Sequence, residues 1–128
     1  MKKLIFLLLA VMLLTSCGQT EEKAQEAVYV NITAQEAKEI MDTRGGYIIL
    51  DVRTQEEYDQ GHIPGAILIP DTQIGARAEK VLTDKDQLIL VYCRSGRRSK
   101  LASEILVELG YTNIREFGGI IDWPYEVE

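Results

Sequence analysis

The chain has 128 residues, 46% of them hydrophobic, which allows one domain with a real core and excludes a protein built from several membrane spans. Its 14 basic and 20 acidic residues give a net charge of −6, a balance that argues against nucleic acid as a partner and against electrostatic attachment to an anionic membrane surface.

The first segment stands apart. Lys2 and Lys3 precede an unbroken apolar run from Leu4 to Leu14, closed by Thr15, Ser16 and Cys17. The run falls well short of the ~20 residues a helix needs to cross a hydrocarbon core, so it reads as the apolar part of a secretion signal. Leu14-Thr15-Ser16-Cys17 resembles the lipobox of bacterial lipoproteins. That resemblance implies a signal peptide over 1–16 and a lipidated Cys17 as mature N-terminus, anchored in a bacterial cell envelope on the extracytoplasmic side of a membrane. Ordinary cleavage that leaves a free thiol is the alternative. Loss of 1–16 would leave 12 basic against 20 acidic side chains, a net charge of −8, so attachment to the membrane would rest on the lipid. Gly18 to Ala27 is polar and small and reads as a tether, completing a 17–27 linker with an r.m.s. reach of about 15–20 Å.

Residues 28–128 form the expected domain. Val28 to Ile32 suits a first strand. Thr33 and Glu36 make a capping box for a helix through about Asp42, with Ala37, Ile40 and Met41 on its inner face. Tyr47 to Leu50 is too continuously apolar for a half-exposed strand and reads as a central one, with Asp51-Val52-Arg53 at its C-terminal end. Thr54 and Glu57 make a second capping box for a short helix that stops near Gly61. A brief strand over Ala66 to Ile69 and a helix around Ile74 to Leu82 follow.

Leu88 to Tyr92 is the strongest strand signal and runs directly into Cys93. After a short loop, Leu101, Ala102, Ile105, Leu106 and Leu109 recur at helical spacing, with Gly110 where a C-cap is expected. A last strand near Ile114 to Phe117 and a Gly118-Gly119 turn close the pattern. Alternating strands and helices of this length indicate an α/β fold with a mostly parallel sheet and functional loops at the strand C-termini.

Cys93 therefore faces the N–H groups and positive dipole end of the following helix, which favour a thiolate. Arg94, Arg97 and Arg98 add positive charge, and Gly96 lets the backbone turn closely enough to form an anion-binding nest. The segment Cys93-Arg94-Ser95-Gly96-Arg97-Arg98 is expected to cradle a negatively charged atom on or near the sulfur. The competing reading is a buried cysteine beside solvated arginines, but a basic cluster in so acidic a chain favours the anion site. With Cys17 consumed by lipid, Cys93 would have no partner for a disulfide.

Asp51-Val52-Arg53, Glu56, Tyr58, Gly61-His62-Ile63-Pro64-Gly65-Ala66, Cys93 to Ser99, Gly118-Gly119 and Trp123 together resemble single-domain rhodaneses, from about Val28 to Trp123. The resemblance implies a five-stranded, mostly parallel sheet flanked by helices, and sulfurtransferase activity through a persulfide on Cys93. The thiolate would attack the sulfane sulfur of a small anionic donor such as thiosulfate, and an external thiol or protein acceptor would then remove the sulfur. Loop N–H groups would stabilise the terminal sulfur and the arginines would meet the donor. Arg98 ranks highest for supporting the leaving group, because rhodaneses commonly carry a basic residue or threonine there. Ser95 and Ser99 are weaker candidates, equally readable as helix caps.

Asp51 and Arg53 either touch the site or, as the favoured reading, pair to fix a loop. His62, the lone histidine, sits between glycine and proline neighbours that suit loop fixing better than a base for Cys93. No metal and no organic cofactor is expected.

Two other functions compete. A cysteine phosphatase or arsenate reductase of related design places five residues between cysteine and arginine. Here the sixth position after Cys93 is Ser99 and the arginine comes one residue early, a shorter loop that suits a single sulfur atom. A non-catalytic envelope-binding module is the other alternative, disfavoured by the intact Cys93.

Overall fold

The computed structural model describes residues 28–128. The expected signal peptide over 1–16, the lipid site Cys17 and the tether over 17–27 lie outside the described residues. In chain order the elements are β1 (Val30–Asn31), α1 (Ala34–Thr43), β2 (Tyr47–Asp51), α2 (Gln55–Gln60), β3 (Ile67–Leu68), α3 (Ile74–Val81), β4 (Leu88–Cys93), α4 (Arg97–Glu108) and β5 (Ile114–Gly119). Short 3₁₀ turns precede α3 at Asp71–Gln73 and follow β5 at Ile120–Asp122.

The five strands lie in the order β1-β5-β4-β2-β3, and every pairing is parallel. The chain steps from β1 over to β2 and on to β3, then reverses through β4 to β5. Right-handed crossovers place the helices of the outward steps on one face and those of the return steps on the other. Accordingly, Ala37 of α1 and Tyr58 of α2 pack with Ile49, Leu90, Phe117 and Trp123, whereas Ala78 of α3 and Ala102 and Leu106 of α4 pack with Leu50, Val91 and Ile114 on the opposite side. Successive residues of β2, β4 and β5 thus serve two cores, which explains the unbroken apolar runs Tyr47 to Leu50 and Leu88 to Tyr92.

Both capping boxes form as the sequence predicts: Thr33 Oγ1 accepts from the Glu36 N–H at 3.1 Å and Thr54 Oγ1 from the Glu57 N–H at 3.2 Å. Gly110, at φ +95°, follows the last turn of α4 and donates to the Val107 carbonyl, the left-handed stop that glycine supplies without steric cost.

Three expectations need correction. The edge strands are shorter than expected, two residues each, because only one neighbour offers them hydrogen bonds. Leu101 does not face the core. It is 46% exposed, since 100° per residue carries it off the stripe that Ala102 and Leu106 share. Gly118-Gly119 is not a turn after the strand but the end of β5 itself, and Gly119 pairs with Cys93 across an irregular register. Among the described residues no helix is long and apolar enough to cross a membrane.

Candidate functional site

The direction of chain progression reverses between β2 and β4, and such a switch point opens a crevice at the strand C-termini. Asp51 and Cys93 end these two adjacent strands. Cys93 is 1% exposed. Directly after it the chain turns through Arg94, Ser95 and Gly96, and α4 starts at Arg97. Gly96 adopts φ +105°, a conformation costly for any residue with a Cβ, and this twist aims its N–H at Cys93 Sγ across 3.0 Å. The hydrogen bond and the start of a twelve-residue helix both favour negative charge on sulfur.

Ser99 lies one turn into α4. It is fully buried and accepts the Cys93 thiol hydrogen at 3.3 Å. Its hydroxyl also lies 2.6 Å from Glu116 Oε1 of β5, and the Gly118 N–H donates to the same oxygen at 2.8 Å. Sequence reasoning missed Glu116. It stands in an ordinary alternation of polar and apolar residues along β5, and only its burial, 2% exposed, distinguishes it.

The three loop arginines differ in role. Arg98 donates through Nη1 and Nη2 to the two carboxylate oxygens of Glu57 at 2.6 and 2.9 Å. The charge of Arg98, the arginine ranked first for supporting the leaving group, is matched here by Glu57, and the bond ties α4 to α2. Arg94 and Arg97 are exposed and make no ion pair among the described residues. Arg94 also lines a cavity of about 500 Å³ shared with Arg53, Glu57, Gly61, Ile121 and Trp123. Arg94 is thus the cation best placed to meet an anion. Ser95 is exposed beside it.

The Glu57 carboxyl is held at about 2, below its ordinary value of 4.5, chiefly by the Arg98 hydrogen bond. A carboxylate whose folded value is depressed contributes stability above its unfolded value and loses it as pH falls through the folded one. Relative to Glu57→Gln, which keeps the helix cap, the wild-type chain is expected to be more stable at pH 7 by about 1–2 kcal/mol. That advantage should fade between pH ~4.5 and ~2, as urea denaturation at stepped pH would read. A difference that persists at pH 2 would refute the ion pair as its source.

Asp51 and Arg53 form the buried pair expected for loop fixing. Arg53 Nη2 donates to Asp51 Oδ2 at 2.7 Å and to the Gly61 carbonyl at 2.7 Å, and its backbone N–H donates to Asp51 Oδ1. Tyr92 Oη donates to Asp51 at 2.7 Å and accepts from the Ile63 N–H at 3.1 Å. Burial first, then the bond to Asp51, holds the Tyr92 phenol well above its ordinary value. The network ties β2 and β4 to the Gly61-to-Ala66 segment. His62 also fixes this loop: its ring stacks on Tyr58 at 3.8 Å, Nδ1 meets the Tyr58 carbonyl, and its backbone exchanges two hydrogen bonds with Glu128. No group of three or more His, Cys, Asp or Glu able to hold a metal occurs among the described residues.

Comparisons with known proteins agree with this geometry. The family described as "Rhodanese-like domain" matches residues 33–124. The thiosulfate sulfurtransferase PspE of Escherichia coli is 44% identical over 73 residues, covering 57% of this chain and 70% of that protein. The putative sulfur carrier protein YrkF of Bacillus subtilis is 35% identical over 98 residues, covering 76% of this chain but only 52% of the relative. A solved structure titled rhodanese with anions from E. coli superposes with a TM-score of 0.60 at 39% identity, covering 64% of this chain and 96% of that one. With the parallel sheet, the cysteine at the end of its central strand and a family match over most of the domain, this chain belongs to the rhodanese-like domain family.

Proposed function

We propose that the chain is a sulfurtransferase that carries sulfane sulfur as a persulfide on Cys93. The observation that carries this reading is the Gly96 N–H aimed at Cys93 Sγ across 3.0 Å at the head of α4. A sulfur anion is held there by the same backbone that would hold its successor. The Cys93 thiolate attacks the outer sulfur of thiosulfate, the S–S bond of the donor breaks, and sulfite leaves with the electron pair. One negative charge stays on Cys93–S–S⁻ and two depart on sulfite, so charge is conserved. An external thiolate then attacks the terminal sulfur and releases the Cys93 thiolate. Arg94 meets the anionic donor at the cavity edge, with Arg97 adding to the positive field. Asp51 and Arg53 support the loops from behind. The activity named for the E. coli relative supports thiosulfate as a donor.

Mass spectrometry after thiosulfate treatment tests the reading. The chain should gain one sulfur atom, and Cys93→Ala should gain none. An unchanged wild-type mass would favour a binding module instead. The short loop, with arginine at position 98 and Ser99 sixth after Cys93, disfavours a phosphatase, and turnover of p-nitrophenyl phosphate should be absent.

The lipobox-like Leu14-Thr15-Ser16-Cys17 supports placement of the domain on the extracytoplasmic side of a bacterial envelope, anchored through lipid on Cys17. Cells fed a labelled fatty acid should incorporate it into the chain, and Cys17→Ala should abolish the label. Unlabelled wild-type protein would remove the anchor from this reading.

A further inference from the structure

The buried polar side chains among the described residues are Asp51, Arg53, Ser99, Ser103 and Glu116. The Asp51–Arg53 pair fixes loops, and Ser103 hydrogen-bonds the Ser99 carbonyl within α4. Glu116 accepts the Gly118 N–H on Oε1, but that bond alone does not call for a buried carboxyl group. Glu116 makes no ion pair among the described residues, and a buried acid survives only where hydrogen bonds satisfy it. Its Oε1 points at Ser99, and Ser99 at the reacting sulfur.

The distances define a path. Ser99 Oγ lies 3.3 Å from Cys93 Sγ and 2.6 Å from Glu116 Oε1. Two backbone carbonyls, Gly96 at 3.0 Å and Gly118 at 3.4 Å, complete its surroundings. A serine hydroxyl has one hydrogen to give, and when neither carbonyl takes it the chain of groups has two self-consistent arrangements. In the first, the thiol donates to Ser99 and Ser99 donates to an ionised Glu116. In the second, a protonated Glu116 donates to Ser99 and Ser99 donates to the Cys93 thiolate.

We propose that Cys93, Ser99 and Glu116 form a proton relay, in which the buried Glu116 carboxylate takes the thiol proton of Cys93 through the Ser99 hydroxyl. The thiol S–H bond breaks as Ser99 gains that hydrogen, and the Ser99 O–H hydrogen passes to Glu116 Oε1. The pair ends as thiolate and carboxylic acid, with no outside reagent. When an acceptor thiolate removes the sulfur, Cys93 leaves as a thiolate and recovers the proton by the reverse path. Ser99 touches the reacting atom, and Glu116 is a positioning residue that acts through it. This inference rests on the sulfurtransferase reading for its place in turnover, but not for its test.

The other charged or titratable groups set against this path are Arg98 on α4, with Glu57 behind it and Asp71 nearby, Arg94 and Arg97 on the loop, and Tyr29 ahead of β1 on the Glu116 side, with Glu104 of α4 beside it. None is altered in the test. The rate of Cys93 alkylation by iodoacetamide, which consumes thiolate and no sulfur donor, is measured from pH 6 to 10 in wild type, Glu116→Gln, Ser99→Ala and the double variant. Glutamine fills the same space but cannot take the proton. The two single variants should each react about ten- to a hundredfold more slowly at pH 7, and approach wild type at pH 10, where solvent hydroxide replaces the relay. The double variant should be no slower than either single one, because both break one path.

A Glu116→Gln profile that superimposes on wild type overturns the proposal. So does an equal loss at every pH, which a structural role would give. If Glu116→Gln fails to fold, the Ser99→Ala profile decides alone by the same criteria. A chain that shows the pH-dependent loss but takes no sulfur from thiosulfate would sink the sulfurtransferase reading and leave the relay standing. Normal sulfur uptake with an unmoved alkylation profile would sink only the relay.

Discussion

Gly119→Ala is expected to cut sulfur transfer about a hundredfold without removing any side chain of the site. Gly119 pairs with Cys93 at the end of β5, and a Cβ there would overlap the carbonyl carbon and oxygen of Arg94 and lie 2.6 Å from Ser95 Cα. Its own backbone is extended, at φ −130° and ψ 153°, so the obstacle is space and not conformation. Neither obstructing group is the free end of a flexible side chain. Both belong to the backbone that aims the Gly96 N–H at sulfur, and the Ile121 N–H holds that backbone through the Arg94 carbonyl at 3.2 Å. The methyl group must push the loop outward. Overpacking of this kind costs about 1–3 kcal/mol or more, and displacement of a reacting group by ~1 Å costs about a hundredfold in rate. Urea denaturation and a thiosulfate assay would read the two effects. Gly75→Ala is the matched control: it lies in α3 with nothing within 4 Å of an added Cβ, and alanine there should stabilise by about 0.5–1 kcal/mol. A Gly119→Ala protein with near-normal activity would show that the loop is not held from β5.

Asp51→Ala should be the most destabilising substitution outside the cysteine loop. Asp51 is fully buried and accepts hydrogen bonds from the Arg53 backbone, the Arg53 guanidinium and the Tyr92 phenol. Its removal strands a guanidinium that is only 5% exposed. Loss of one partner of a buried pair costs about 3–5 kcal/mol, mostly as the penalty on the charge left behind. Combining it with Arg53→Met should recover much of that loss, because the stranded charge is removed as well. Chemical denaturation of the single and double variants measures this directly. If the double variant is as unstable as the sum of its parts, the pair is not the source of the effect.

The fold was legible because its signals are local. The Thr33–Glu36 and Thr54–Glu57 boxes, the two unbroken apolar strands and the glycine after α4 each depend on residues within a few positions of one another. The site was legible only in part. Position at a strand end and the glycine turn placed Cys93 and Gly96 correctly, since both are properties of one short segment. Glu57 was read as a cap, which it is, but its bond to Arg98 spans 41 residues and leaves no mark in the spacing. Glu116 and Gly119 act on the loop from another strand, and their parts depend on how β5 pairs with β4. Leu101 shows the same limit within one helix, where a stripe of five apolar residues is wider than the face that packs.

The burial of Cys93 bears on how the protein keeps and presents its sulfur. At 1% exposure the bare thiol is shielded from bulky oxidants and from other proteins. A transferred sulfur sits about 2 Å further along the S–S bond. Ser99 stands against one side of the Cys93 sulfur and the Gly96 N–H against another. A nucleophile this deeply set is reached by small molecules and by a thiol on a narrow projection, not by the broad face of another protein.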